Sequence, residues 1–410
     1  MKRLTPVFAL LLVIVMLASC TPATVLGVAL ALPLAIEEET IPETTTPEAV
    51  TPEETTPENA PSNETTPEAT TPEETTPEAT TPEETTPEET TPEETGPKPV
   101  PLEPTCNHIF TSRIVLEQVT TTTDGKIANV CGTCGGWQEE VLAAVKSIKI
   151  LAIGNSFSDN ALKYLPVLAK ELGIEEIIVG KLYRGSCSID RHWTDAQAGN
   201  SYERFDLNLG DGWVRYTGSQ ATLNYALALY DWDIITMQQV SSTSGVPSSL
   251  GNLQNLIDYV NARKTNPNAK LYWHMTWAYS QYTTHSGFAN YDKDQMTMYN
   301  AIVNTTKECI LTNDCFTGVI PAGTAVQNYR GNDFKNENIE TTYITTDGYH
   351  LKNYSEVLAA MTWIRTLTGL SLDSLKCKSS DVSFVSSQLR GLKRAADYAY
   401  LNPYEIRPAY

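Results

Sequence analysis

From residue 147 to the C-terminus the sequence predicts an α/β domain, a parallel sheet covered by helices on both faces. Three observations predict it. Short, continuous apolar runs alternate with longer stretches whose apolar residues recur at helical spacing. The runs are rich in Ile, Val and Leu and are bounded by Gly, Pro or polar residues, as in strands buried on both faces. Residues 147–410 are also numerous enough to bury one sizeable core.

In chain order, strands are expected at Ile148–Ile153, Ile177–Leu182, Ile234–Met237, Leu271–Trp277 and Gly318–Pro321. Helices are expected at Asn160–Leu172, with Gly173 as its C-cap, and at Ala221–Tyr230, Leu250–Arg263, Met296–Leu311 and Ser355–Leu367. Open parallel sheets bind ligands beyond the C-terminal ends of their strands. The loops at those ends are therefore where chemistry is sought.

Residues 1–20 have the build of a secretory signal peptide: Lys2 and Arg3, an apolar run from Val7 to Leu17, then Ala18-Ser19-Cys20. Leu17-Ala18-Ser19-Cys20 resembles a bacterial lipobox, so Cys20 is expected to carry acyl chains and hold the mature protein on the outer face of the cell membrane. An ordinary signal peptide or an uncleaved apolar anchor is the alternative. Residues 21–105 are a linker dominated from Ile36 to Gly96 by TTPEE and TTPEA repeats, which offer almost nothing to bury and are expected to be extended and disordered. Those repeats hold 19 Glu and no Lys or Arg, so of the formal charge of −20 only about −1 belongs to the rest of the chain. The acidity thus says nothing about a substrate, and no basic surface points to a nucleic-acid partner.

Residues 106–146 read as a small β module. Cys106-Asn107-His108, an Asp124-Gly125 turn signal and Cys131-Gly132-Thr133-Cys134 bracket alternating apolar positions, the pattern of a β-hairpin. A Cys-x-x-Cys knuckle presents two sulfurs to one tetrahedral ion, and Cys106 with His108 supplies two further ligands, as in a zinc ribbon. A disulfide from Cys106 to Cys131 or Cys134 is the competing reading in an oxidising exterior. In either case the module is structural.

Two loops of the large domain carry groups suited to acyl chemistry. The first strand runs into Gly154-Asn155-Ser156-Phe157-Ser158, which puts the Ser156 hydroxyl just before a helix N-terminus. Near the other end, Thr346-Asp347-Gly348-Tyr349-His350 places a carboxylate three residues before an imidazole. Such a His takes a proton from a serine, and such an Asp holds the ring in the required tautomer. Gly-Asn-Ser after the first strand and Asp-x-x-His near the end resemble the first and last blocks of the SGNH (GDSL-type) hydrolases. With Leu182–Ser188, Met237–Ser241 and Pro321–Ala325, they resemble a bacterial branch of that superfamily, domain of unknown function 4886.

The resemblance implies a flavodoxin-like, three-layer α/β/α sandwich and ester hydrolysis without a catalytic cofactor. Ser156 would be the nucleophile, His350 the base and then the acid, and Asp347 the group that orients His350. It also implies an oxyanion hole made of the Ser156 N–H, the Gly185 N–H and a carboxamide. Here the usual Asn of the third block is absent, and Gln238 or Gln239 is the nearest replacement, with Gln239 favoured. Asn155, His192 and Trp193 are read as lining the substrate cleft, Trp193 against a sugar face. His274 is read as a core histidine and His285 as a loop residue, and Cys187, Cys309, Cys315 and Cys377 as a set that includes a disulfide or none. The expected activity is extracellular hydrolysis of acyl esters, acetyl foremost, on polysaccharides or glycans. The rival readings are a non-catalytic glycan-binding module and a lipid or thioester hydrolase.

Overall fold

The structure, a computed structural model, describes residues 100–331, 335–378 and 382–410. The expected signal peptide, Cys20 and the expected linker up to residue 99 lie outside the described residues. Among the described residues no helix is long and apolar enough to cross a membrane.

The small module is a three-stranded antiparallel sheet, β1 (Phe110–Glu117), β2 (Gly125–Cys131) and β3 (Trp137–Leu142), in that order. The hairpin expected from the sequence is β1–β2, and Gly125 opens β2 because a Cβ there would collide with the Val119 backbone. The sequence reading missed β3. That strand is an exposed edge carrying Glu139 and Glu140, so no buried side alternates with a wet one. The module is not free-standing: Arg113 Nη1 donates to Tyr400 O at 2.8 Å and Gln118 Nε2 to Gly369 O at 2.7 Å.

The large sheet has seven strands: β4 (Ser147–Gly154), β5 (Glu176–Tyr183), β6 (Arg204–Asn208), β7 (Trp213–Tyr216), β8 (Ile234–Met237), β9 (Lys270–His274) and β10 (Phe316–Ile320). Their spatial order is β10-β9-β8-β4-β5-β6-β7. The first five pair in parallel, in the flavodoxin-like arrangement that the resemblance implied. The unforeseen β6–β7 hairpin extends one edge in antiparallel fashion. Strand order reverses beside β4, which opens a crevice at its C-terminal end. Ile150, Leu151 and Ile153 of β4 are fully buried, which is why that strand reads as one continuous apolar run.

The helices are α1 (Ser156–Leu162), α2 (Leu165–Glu171), α3 (Ile189–Ala198), α4 (Leu223–Leu229), α5 (Leu253–Arg263), α6 (Gln295–Thr305), α7 (Ala322–Arg330), the single turn α8 (Glu337–Ile339), α9 (Asn353–Thr368) and α10 (Ser386–Leu401). One layer is built from α1, α2, α7, α9 and α10, which pack on one another, and a second from α3, α4 and α5. The helix expected over Asn160–Leu172 is two helices, because Pro166 in the first turn of α2 cannot donate to a residue of α1. The strand expected to run to Trp277 ends at His274, and α6 ends in a π turn over Thr306–Ile310.

Candidate active site

Ser156 is the first residue of α1, directly beyond the C-terminal end of β4. Asn155 caps the helix, its Oδ1 accepting the Phe157 N–H at 3.0 Å. Phe157 then stacks on Trp277 with ring centroids 4.3 Å apart, pinning the start of α1 to the core. A Cβ at Gly154 would collide with the Ser158 hydroxyl, so only glycine lets the strand turn this closely into the helix.

The Asp347–His350 loop approaches from the other end of the chain. His350 Nε2 lies 2.9 Å from Ser156 Oγ, and His350 Nδ1 lies 2.7 Å from Asp347 Oδ2. The other carboxylate oxygen, Oδ1, accepts the backbone N–H of Tyr349 at 3.1 Å and of His350 at 2.8 Å. Burial pushes the Asp347 carboxyl up, but those hydrogen bonds and His350 itself outweigh it and hold the group below its ordinary value. The His350 and Asp347 side chains are 33% and 40% exposed, so a bulky substrate has open access to them.

Groups that the sequence reading passed over set the loop in place. Trp277 Nε1 donates to Tyr349 O at 2.7 Å, and the Ser280 N–H donates to Gly348 O at 2.7 Å. Asn160, one turn beyond Ser156, accepts the Leu351 N–H at 3.1 Å. Below the loop Arg330 and Glu340 form a buried two-pronged ion pair at 3.0 and 2.9 Å, and Glu340 also accepts from Thr345 at 3.1 Å. Each of these contacts joins residues far apart in sequence or inside one loop, so no local motif announces them.

A family model described as Domain of unknown function (DUF4886) matches residues 149–399. The chain belongs to the DUF4886 family. A solved DUF4886 family protein from Bacteroides uniformis is 33% identical with a TM-score of 0.57, over 64% of this chain and 97% of that one. A candidate SGNH hydrolase from Slackia heliotrinireducens is 18% identical with a TM-score of 0.34, over 54% of this chain and 99% of that one. No curated protein matches the chain.

Several expected site residues of this DUF4886 domain turn out otherwise. Gln239 is buried and turned away from Ser156: its Nε2 donates to Ser249 O and Oγ at 2.7 and 3.0 Å, and its Oε1 accepts from the Ile189 and Val240 N–H groups. Gln238 lies beneath the Ser156 loop. It donates to Asn155 Oδ1 at 2.7 Å, accepts from the Ser158 hydroxyl and lies 3.0 Å from His274 Nδ1. Gln239 has both amide hydrogens engaged with Ser249, and Gln238 commits one of its two to Asn155; successive residues at a strand end point to opposite sides. The Gly185 N–H donates to Glu203 Oε1 at 3.0 Å. The Ser156 N–H is uncommitted, since at the first helical position no carbonyl one turn earlier receives it.

Asn155 and His192 are buried rather than cleft-lining. Asn155 donates to Cys187 O at 3.2 Å and so ties the first loop to the second, while His192 Nδ1 pairs with the Tyr202 hydroxyl at 2.7 Å. Trp193 is half-buried, edge-on to Tyr259 in a groove between α3 and α5, and nothing joins it to Ser156. The core reading of His274 agrees with its burial. Cys187, Cys309, Cys315 and Cys377 are free thiols.

Burial pushes the pKa values of His192 and His274 down to about 3. Both rings are therefore neutral in the folded protein, whereas in the unfolded chain they take up protons below about pH 6.5. The unfolded state then binds more protons, so stability drops as the pH is lowered through this range. From pH 7 to pH 5 each ring should cost about 2 kcal/mol, roughly 4 kcal/mol together. Denaturant unfolding at the two pH values checks this, and a flat profile would contradict it.

Proposed function

We propose that this chain is a serine hydrolase that cleaves short acyl esters, acetyl foremost, from polysaccharides or glycans outside the cell. The observation that carries the reading is the continuous chain of contacts from Asp347 Oδ2 through both ring nitrogens of His350 to Ser156 Oγ, at 2.7 and 2.9 Å. As the Ser156 Oγ–acyl carbon bond forms, the hydroxyl proton passes to His350 Nε2, and Asp347 stabilises the resulting imidazolium. The tetrahedral intermediate collapses, the bond to the alcohol oxygen breaks, and His350 returns its proton to that oxygen. Water then attacks the acyl-Ser156 by the same sequence. The uncommitted Ser156 N–H is a donor to the oxyanion.

Location and surface chemistry support a glycan substrate. The expected signal peptide, lipid anchor and long linker put the domain among extracellular polymers. At the site the Tyr349 ring lies 4.3 Å from the His350 ring and 4.9 Å from that of His285, an aromatic rim suited to a sugar face. A second reading, a glycan-binding module without catalysis, is favoured by the engagement of the Gly185 N–H with Glu203 and of both Gln carboxamides elsewhere.

The test is hydrolysis by the purified chain of p-nitrophenyl acetate, its long-chain acyl counterpart and an acetylated polysaccharide. The proposal expects turnover of the first and third. A chain inert toward all three that still retains the polysaccharide supports the binding reading, and one that prefers the long acyl chain supports a lipid hydrolase.

A further inference from the structure

We propose that the small sheet holds one structural zinc ion, bound by Cys106, His108, Cys131 and Cys134. One ligand atom from each of these residues lies within 4.8 Å of all the others. Cys106 Sγ and Cys131 Sγ are 3.8 Å apart, and Cys134 Sγ and His108 Nδ1 are 3.6 Å apart. A regular tetrahedron with zinc–sulfur bonds of about 2.3 Å and zinc–nitrogen bonds of about 2.0–2.1 Å has S–S edges of about 3.8 Å and S–N edges of about 3.6 Å. Two of the six edges thus have the lengths such an ion would impose, the others are no longer than 4.8 Å, and none of the sulfurs is joined in a disulfide.

The local backbone is built for the same task. Cys131 ends β2, and the chain doubles back through Gly135, whose φ of 70° lies in the left-handed region and whose N–H donates to Cys131 O at 3.0 Å. This brings Cys134 beside Cys131. The Thr133 N–H donates to Cys131 Sγ at 3.5 Å, which fixes that sulfur within the knuckle. The Gly132 N–H donates to Ile109 O at 3.0 Å, which draws the segment that carries His108 onto the knuckle. Three sulfurs and one imidazole select a soft, tetrahedral ion over Mg²⁺ or Ca²⁺. The protein fills all four positions, so the ion has no open face for catalysis.

The site also lies at the far end of the domain from Ser156. A cavity of about 400 Å³ beside His108 is lined by Arg113, Lys270, Tyr272 and Phe316. Lys270 and Phe316 are the first residues of β9 and β10, whereas Ser156 lies two residues past the end of β4. Eight residues of β4 separate the two ends by roughly 25 Å. The ion therefore clasps the segment entering the domain onto the small sheet and acts on stability rather than on the Ser156 chemistry.

Elemental analysis of the full chain, purified without a metal-affinity column, is expected to find one zinc per chain. Replacement by cobalt should give the intense visible absorption of a tetrahedral thiolate site. Cys134→Ser should bind well under one equivalent, and stripping the wild type with a chelator should lower its Tm until zinc is restored. A metal-free chain whose intact mass shows two of these cysteines oxidised to a disulfide overturns the proposal. So does iron in place of zinc, or a Cys134→Ser chain that keeps its full equivalent.

Discussion

Replacing Ser156 with Ala is expected to lower the turnover of p-nitrophenyl acetate by on the order of 10⁴- to 10⁶-fold, the scale on which removal of a serine nucleophile acts. Among the described residues this hydroxyl is the hydrogen-bond partner of His350 Nε2, at 2.9 Å. Folding should survive, because the helix start is secured by the Asn155 cap and by Phe157 stacked on Trp277. The comparison is steady-state hydrolysis by wild type and variant, with circular dichroism as a control on the fold. A folded variant that retains the wild-type rate would place the nucleophile elsewhere.

The second large effect is expected from Asp347→Asn, about 10⁴-fold in kcat with little change in thermal stability. The two carboxylate oxygens do different work. Oδ1 accepts two backbone N–H groups of its own loop, a task that the Asn carbonyl continues to perform. Oδ2 holds His350 Nδ1 at 2.7 Å, and the Asn amide there would donate a hydrogen where a carboxylate accepts one. The ring would be driven to the tautomer that carries its proton on Nε2, unable to accept from Ser156. An amide also brings no charge to stabilise the imidazolium. A loss of kcat matched by collapse of the Tm would indicate a purely structural role for Asp347.

How far the sequence alone could lead was decided by burial. The parallel strands were readable because both of their faces are covered: β8 was located to the residue, and β4 and β5 to within one residue at each end. The β6–β7 hairpin escaped notice because Arg204, Asp206 and Arg215 form a ladder of ion pairs along it, so it reads as a polar connection. Helix α7 was missed for the opposite reason. Every residue from Ala322 to Arg330 is buried, including Gln327, Asn328 and Arg330, so there is no wet face to contrast with a dry one.

At the site, Ser156 and the Asp347–His350 pair could be picked out because each sits in a short loop motif. Which way Gln238 and Gln239 turn could not, because their partners Asn155, Ser158, His274, Ile189 and Ser249 come from other elements. The polar environment of His192 was equally hidden, since Tyr202 reaches it only in the folded chain.

The central claim, that Ser156 is a nucleophile activated by His350, is tested most directly by treating the protein with a fluorophosphonate and locating the adduct by peptide mass spectrometry. The account predicts one adduct per chain, on the peptide containing Ser156, absent in Ser156→Ala and strongly slowed in Asp347→Asn. A folded protein that remains unlabelled, or that is labelled at any other residue, would contradict it.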